Sequence, residues 1–173
     1  INYDLNGTRC WYKTANAAST PLTEDGSFMA NMNNESTGTV PVVTLAWSGT
    51  TNPGHAPFIL LKFPAPVDIA GISAYGGNAL TPAVSNDTTD GVNGTWTGGS
   101  AVTPGGGNQR EWSRSGAITP QAFVGVQWLR LSLPTGSNGN RTVGKVLLYG
   151  TPGASADTLD FWDATLDQSA APD

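Results

Sequence analysis

Two neighbouring apolar segments constrain the fold more than any other part of the sequence. Residues 57–63 (PFILLKF) form a short, nearly continuous apolar run, which is typical of a strand covered on both faces. In residues 67–75 (VDIAGISAY), apolar side chains alternate up to Ile69 and resume from Ile72 with the opposite parity. Because Gly71 lies at this change of phase, the pattern predicts a second strand with a β-bulge at that glycine.

Further strand-length segments are separated by loops rich in Gly, Asn, Pro and Ser. These segments are residues 39–47, 80–85, 94–97, 110–115, 122–133 and 143–150. We expect residues 122–133 to be the longest strand, and residues 80–85 and 94–97 to pair as a hairpin. Charged residues are only 12% of the chain, which is too few for a typical helical protein. The sequence therefore predicts an all-β fold, an antiparallel β-sandwich of the jelly-roll type.

The end of the chain differs in composition from the rest. Residues 1–150 are predicted to form one β-sandwich domain, with its core at about residues 20–150. Residues 151–173 are acidic with a few apolar anchors, and no Lys or Arg occurs among them. We interpret them as an irregular linker or docking tail that leads toward a further domain. A short helix and an extended arm are both compatible with this tail.

Charge and cysteine content exclude several classes of protein. The net charge is −5 and the eight basic residues form no cluster, which disfavours nucleic-acid binding. The longest purely aliphatic or aromatic run is residues 58–61, far shorter than a membrane-spanning segment, so membrane insertion is not expected. Cys10 is the single cysteine, so no intrachain disulfide can form, and we expect a buried structural thiol.

Four segments of the chain carry a family resemblance when they are taken in order. They are LLKFPAPVDIAGISAYGGN (residues 60–78), SNDTTDGVNGTW (85–96), FVGVQWLRLSL (123–133) and VGKVLLYG (143–150). Together they resemble the discoidin-like, galactose-binding-like β-sandwich, in which an F-P-x-P strand, a D-G-x-x-W type hairpin, an apolar-Arg-apolar strand and a closing Y-G strand follow one another. Residues 22–26 (LTEDG) also resemble an early loop of that family. The resemblance implies the fold, and a fold alone does not imply an activity.

Two segments of the sequence also resemble proteins in which this sandwich occurs in a particular setting. DTTDGVNGTW, together with DTLDFWDATLDQ after LYGTP, is similar to structural proteins of tailed bacteriophages, especially minor tail or virion-surface proteins. In such proteins the sandwich is commonly one module of a longer chain. The resemblance therefore implies a location on the particle surface, and partners among other virion proteins and copies of the same chain.

The acidic segment 85–96 has two chemical interpretations. Its carboxylate and amide oxygens suit calcium, and Asp87 and Asp90 are candidate ligands. Asp25, in the loop that resembles the family's early loop, is a further candidate, since related sandwiches often carry a structural ion there. The segment departs from the EF-hand pattern, however, because counting from Asp87 it has Val92 at the sixth position and no glutamate at the twelfth.

The other interpretation of the same segment is a long hairpin turn. Asx side chains would hydrogen-bond the backbone ahead of them, Gly91 and Gly94 would adopt positive φ, and Trp96 would return the chain to the core. Turn chemistry accounts for every residue of the segment, so we favour it. We predict no resident cofactor on this basis, and calcium is the one candidate.

The chain is rich in tryptophan, which bears on sugar binding. Trp112 is flanked by Arg110 and Arg114, and exposed aromatics beside Arg are typical of sites that stack a sugar ring and bond its hydroxyls. The alternative is that Trp112 packs against a neighbouring subunit. Three other tryptophans occur in strand segments and are predicted to fill the core: Trp47, Trp96 and Trp128.

No enzyme signature stands out in the sequence. There is no G-x-S-x-G motif, and nothing singles out an acid and a nucleophile among the thirteen acidic residues. We therefore expect no enzymatic activity. The predicted function is a noncatalytic virion structural and adhesion module that mediates protein–protein assembly and contacts host-surface glycans. The alternative is a free carbohydrate-binding module stabilised by calcium.

Overall fold

The structure, a computed structural model, describes residues 8–13, 22–24, 43–45, 57–105, 117–134 and 141–150. The regular structure of these residues consists of β-strands, so the predicted all-β class is confirmed. The strands are β1 (Arg9–Lys13), β2 (Thr23–Glu24), β3 (Val43–Leu45), β4 (Phe58–Gly77), β5 (Thr81–Ser85), β6 (Thr97–Gly98), β7 (Thr119–Ser132) and β8 (Arg141–Tyr149). No helix of the described ranges is long and apolar enough to cross a membrane.

The strands form one sheet in the order β2-β1-β4-β7-β5-β6, and β8 pairs with both β4 and β3. Every strand pairing in the described ranges is antiparallel, as predicted. Strand β5 pairs with β6, which confirms the predicted hairpin on either side of the acidic segment. Strand β3 lies within the predicted segment 39–47. The predicted strand at residues 110–115 and the tail at 151–173 lie outside the described residues.

Strand β4 lies in the middle of the sheet, between β1 and β7. It has 20 residues, whereas β7 has 14. The prediction that residues 122–133 are the longest strand is therefore wrong, because the two apolar segments around position 65 run on as one strand. The first part of β4 pairs with β1 and β7, and its last part pairs with β8. Its pairing with β7 shifts register between Ile69 and Gly71, which confirms an irregularity at the predicted bulge.

The main core is one cluster of side chains drawn from β1, β4, β5, β7 and β8. Its fully buried members include Ile59, Leu61, Phe63, Ile69, Ile72, Leu80, Val102, Leu129 and Leu131. Both Ile69 and Ile72 belong to it although their parities differ, because the bulge between them restores the inward direction. The sandwich arrangement of these strands remains a prediction.

Strand β1 was not predicted from the sequence, and it extends the core toward the start of the chain. Cys10 is 2% exposed and belongs to the main core, as expected of a buried thiol. Its neighbours on β1 pair along the first part of β4, from Lys13 opposite Phe58 to Arg9 opposite Lys62. Because Cys10 lies in the main core, a side chain that precedes residue 20 also contributes to it.

Candidate functional site

Asp90 organises the middle of the acidic loop. Its Oδ1 accepts hydrogen bonds from the backbone N–H groups of Val92 and Asn93, both at 2.8 Å. Its Oδ2 accepts a hydrogen bond from Asn93 Nδ2 at 2.6 Å. Because these donors favour the charged carboxylate, they lower the pKa of Asp90 to about 2. The loop is thus held from within by one ionised side chain.

Asp87 joins the two ends of the same loop. Its Oδ1 accepts hydrogen bonds from Ser85 Oγ and from the backbone N–H of Thr95, both at 2.8 Å. These hydrogen bonds lower the pKa of Asp87. Gly91 and Gly94 have φ angles of 75° and 111°, as predicted. The interpretation of this segment as a turn built by Asx side chains is confirmed.

The structure describes two of the three candidate calcium ligands. Asp25 lies outside the described residues. Asp87 and Asp90 are described, and a calcium ion there would have to share or displace oxygens that already accept hydrogen bonds from the loop. Within the described ranges, no group of three or more His, Cys, Asp or Glu side chains could hold a metal ion.

The acidic loop lies against the side of the sheet that points away from the main core. Asn86 Oδ1 accepts a hydrogen bond from the backbone N–H of Gln127 at 2.9 Å, which ties the loop to β7. A Cβ atom on Gly91 would collide with Leu60 and come within 3.2 Å of Trp128. The Gly91 backbone therefore packs directly on these two side chains, and only a glycine fits there.

The side chains that gather on this side form what we call the outer-face cluster. Its members are Trp11, Leu22, Phe58, Leu60, Trp96 and Trp128. Trp96 and Trp128 were predicted to fill the core. Trp128 is buried in this second core cluster, as predicted, whereas Trp96 is half-buried and packs against it. On β7, Trp128 alternates with Leu129 and Leu131, which take the inward side, so the indole points outward. Trp47 lies outside the described residues.

The register of three strands places tryptophans and cations in two adjacent rows on this outer face. The rows are Arg9–Lys62–Trp128 and Trp11–Leu60–Arg130, each read across β1, β4 and β7. Side chains directly opposite one another on antiparallel strands have Cβ atoms about 4.5–5.5 Å apart. The first row therefore brings Lys62 directly opposite the indole ring of Trp128.

The aromatic rings of the outer-face cluster contact one another. The ring centroids of Trp11 and Trp128 are 5.6 Å apart with an interplanar angle of 32°. Trp128 is 5% exposed, whereas Trp11 and Trp96 are half-buried and present part of their rings to solvent. Burying a large apolar side chain contributes roughly 1.5–3 kcal/mol, so this cluster forms a second stabilising layer outside the main core.

Three cations lie over these rings. Arg9 Cζ is 4.8 Å from the ring centroid of Trp11, Lys62 Nζ is 4.9 Å from that of Trp128, and Arg130 Cζ is 4.2 Å from that of Trp96. Arg130 also lies 5.6 Å from the centroid of Phe58. All these distances are within the range of a cation–π interaction, roughly 6 Å. The face thus combines ring surfaces with fixed positive charge.

The cations differ in how their charge is balanced. Arg9 donates hydrogen bonds from Nε and Nη2 to the two carboxylate oxygens of Glu24, at 2.7 Å and 2.6 Å. This pairing raises the pKa of Arg9 and lowers that of Glu24. In the part of the chain that the structure describes, Lys62 and Arg130 form no salt bridge. Arg130 Nε is buried without a hydrogen-bond partner, and burial lowers the pKa of Arg130.

The residues proposed from the sequence as a sugar site are not among those described. Trp112, Arg110 and Arg114 all lie outside the described ranges. The outer-face cluster was not predicted from the sequence, although the sequence contains part of the pattern that indicates it. In QWLRLS, Trp128 and Arg130 share a parity opposite to the apolar leucines, which indicates a common outward face. Nothing in the sequence indicated that Trp11 would lie beside them, because that contact depends on long-range pairing.

No family model matches the chain, and no significant match to a curated protein is found. The functional proposal therefore rests on the chemistry of the outer face. Partly exposed indole rings can stack on flat apolar surfaces, and Lys62 and Arg130, which form no salt bridge with another described residue, can attract an anion. This combination suits recognition of a ligand that has both features.

Proposed function

We propose that the chain is a noncatalytic structural and adhesion module of a tailed-bacteriophage virion protein, such as a minor tail protein, built as a discoidin-like, galactose-binding-like β-sandwich. It would sit on the particle surface, contact other virion proteins, and serve host attachment by touching host-surface glycans. The virion setting rests on the resemblance of the acidic loop and of the tail to phage structural proteins. The order of antiparallel strands supports the sandwich.

The outer-face cluster is the observation that supports the adhesive role. Sugar-binding sites combine exposed aromatic rings with polar side chains that are held rigidly in place. Here Trp11 and Trp96 present partly exposed rings, and the sheet and the acidic loop fix their positions. The groups on this face are suited to stacking and charge contact.

A glycan array probed with the full 173-residue chain tests the adhesive role. We expect selective binding that Trp96→Ala abolishes and Val124→Ala preserves. Val124 is 76% exposed and does not belong to the outer-face cluster, so it serves as a control for loss of an exposed apolar side chain. Equal loss in both variants, or unchanged binding by Trp96→Ala, would remove the outer face from the proposal.

The virion setting has its own test. Quantitative mass spectrometry of purified phage particles should detect the chain at a fixed ratio to the major tail or capsid protein. Its absence from particles, combined with glycan binding by the free chain, would favour the alternative function. That alternative is a free carbohydrate-binding module, which the tryptophans of the outer face support equally well.

A further inference from the structure

The two glycines of the acidic loop differ in how their backbone nitrogens are held. The N–H of Gly91, which follows Asp90, donates a hydrogen bond to Thr88 Oγ1 at 3.0 Å, and Gly91 is buried. The N–H of Gly94, which follows Asn93, forms no hydrogen bond with any described residue. Asn93 and Gly94 are both exposed. The nitrogen of Gly94 is therefore open to water and is not occupied by the fold.

The Asn93–Gly94 step has the groups that spontaneous deamidation requires. Asparagine is a thermally labile residue, and a following glycine has no Cβ to obstruct attack by its own nitrogen. In this reaction the nitrogen of Gly94 bonds to Cγ of Asn93, the Cγ–Nδ2 bond breaks, and the displaced proton leaves with Nδ2 as ammonia. Water then opens the succinimide ring at one carbonyl or the other, which leaves aspartate or isoaspartate at position 93.

The conformation of the loop requires a glycine at this step. Gly94 has a φ of 111°, a conformation that residues with a side chain rarely adopt. A Cβ atom there would also come within 2.8 Å of Asp87 Oδ1 and 3.0 Å of Thr88. The residue that makes Asn93 reactive is therefore the residue that the turn needs.

Asn93 contributes one of the hydrogen bonds that hold Asp90. Its Nδ2 donates to Asp90 Oδ2 at 2.6 Å, and this contact is exposed to solvent, so water can replace it and free the carboxamide for attack. Deamidation replaces this donor with a carboxylate oxygen, which donates no hydrogen bond at neutral pH and repels the charge of Asp90. The isoaspartate product also inserts a methylene into the main chain ahead of Trp96.

From these contacts we infer that Asn93 is a site of spontaneous deamidation, and that its conversion loosens the acidic loop and the hold of that loop on Trp96. Water is the only co-reactant. The neighbouring Asp90–Gly91 step is protected, because its nitrogen is bonded and buried and its carboxylate is ionised. The inference depends on neither the virion setting nor glycan contact.

Peptide mapping of the full 173-residue chain tests the reaction. After incubation in warm, mildly alkaline buffer, mass spectrometry and isoaspartate-specific labelling should show conversion at Asn93, with Asp90 unchanged. Asn93→Gln is the matched control, because it keeps the amide but would need a larger ring to react, so the peptide should stay unconverted. Conversion of the Asp90–Gly91 step at an equal rate would overturn the inference. So would an Asn93 that stays intact in the folded chain and converts only in urea.

Hydrogen exchange tests the effect of the reaction on the loop. Asn93→Asp reproduces the charge of one product, and Asn93→Ala removes the donor without adding charge. We expect faster exchange across residues 85–96 and a lower melting temperature for Asn93→Asp than for Asn93→Ala, because only the former brings two carboxylates together. Equal behaviour of the two variants would overturn the repulsion. An Asn93→Asp variant that exchanges no faster than the native chain would overturn the loosening of the loop.

Discussion

The guanidinium carbon of Arg130 lies 4.2 Å from the ring centroid of Trp96, so a central strand and the end of the acidic loop meet at one cation–π contact. Arg130 belongs to β7, and Trp96 is the last residue of the loop before β6. Trp96 Nε1 also donates a hydrogen bond to the carbonyl oxygen of Val92 at 3.3 Å. The position of the indole is therefore set jointly by the sheet and by the turn.

This contact should appear as a coupling in a double-mutant cycle. We expect Arg130→Met and Trp96→Leu to be non-additive, with a coupling free energy of about 0.5–2 kcal/mol, the range of a partly desolvated cation–π pair. Urea unfolding of the two single variants and the double variant measures it. Additivity to within about 0.3 kcal/mol would show that the ring and the cation do not stabilise each other.

Replacing Gly91 with alanine should destabilise the protein. Gly91 has a φ of 75°, which costs an L-residue roughly 1–2 kcal/mol, and its added Cβ would collide with Leu60. Gly98→Ala is the matched control, because a Cβ there meets nothing within 4 Å and its change should be under about 1 kcal/mol. Thermal or urea unfolding compares the two. Equal stability of the two variants would contradict the packing of the loop on the outer face.

The stability that Asp90 provides should disappear in acid. Its pKa is about 2 in the folded protein, below the value of about 3.9 for an unfolded chain. The contribution is therefore fully present above about pH 4, and it is lost as the pH falls toward about 2. The stability difference between the native chain and Asp90→Asn should shrink over that window, and NMR titration of the carboxyl should give the low pKa directly. A carboxyl that titrates near 3.9 would show that the backbone donors do not hold it.

Calcium should not change the thermal stability through the acidic loop. Asp87 and Asp90 already accept hydrogen bonds from backbone N–H groups, so an ion would have to compete with them. We expect the same melting temperature with calcium chloride and with a chelator, for both the native chain and Asp87→Asn. A rise of several degrees with calcium that Asp87→Asn removes would establish a metal site there.

The features that the sequence predicted are those that depend on interactions between residues close together in the chain. The bulge near Gly71 follows from a change of parity within nine residues, and the Asx turn follows from residues that bond their own neighbours. The all-β class follows from strand-length runs between turn residues. In each case the determining contacts lie within a short stretch of chain.

The outer face could not be predicted in the same way, because its members come from distant parts of the chain. Trp11 and Trp128 are brought together by the pairing of both β1 and β7 with β4. A tryptophan in a strand segment fits either face, and composition alone cannot select one. The sequence therefore predicted that Trp128 is buried, but not that it packs on the side of the sheet away from the main core.

The pairing of strand β4 limits how early the chain can fold during its synthesis. Its beginning pairs with β1, which is synthesised first, and its end pairs with β8, where Ile72 meets Leu148. The strand therefore cannot complete its ladder until Tyr149 has emerged from the ribosome, and contacts of such wide sequence separation are slow to form. Until then, the apolar second half of β4 has an unpaired edge, so we expect a nascent chain stalled before β8 to recruit chaperones.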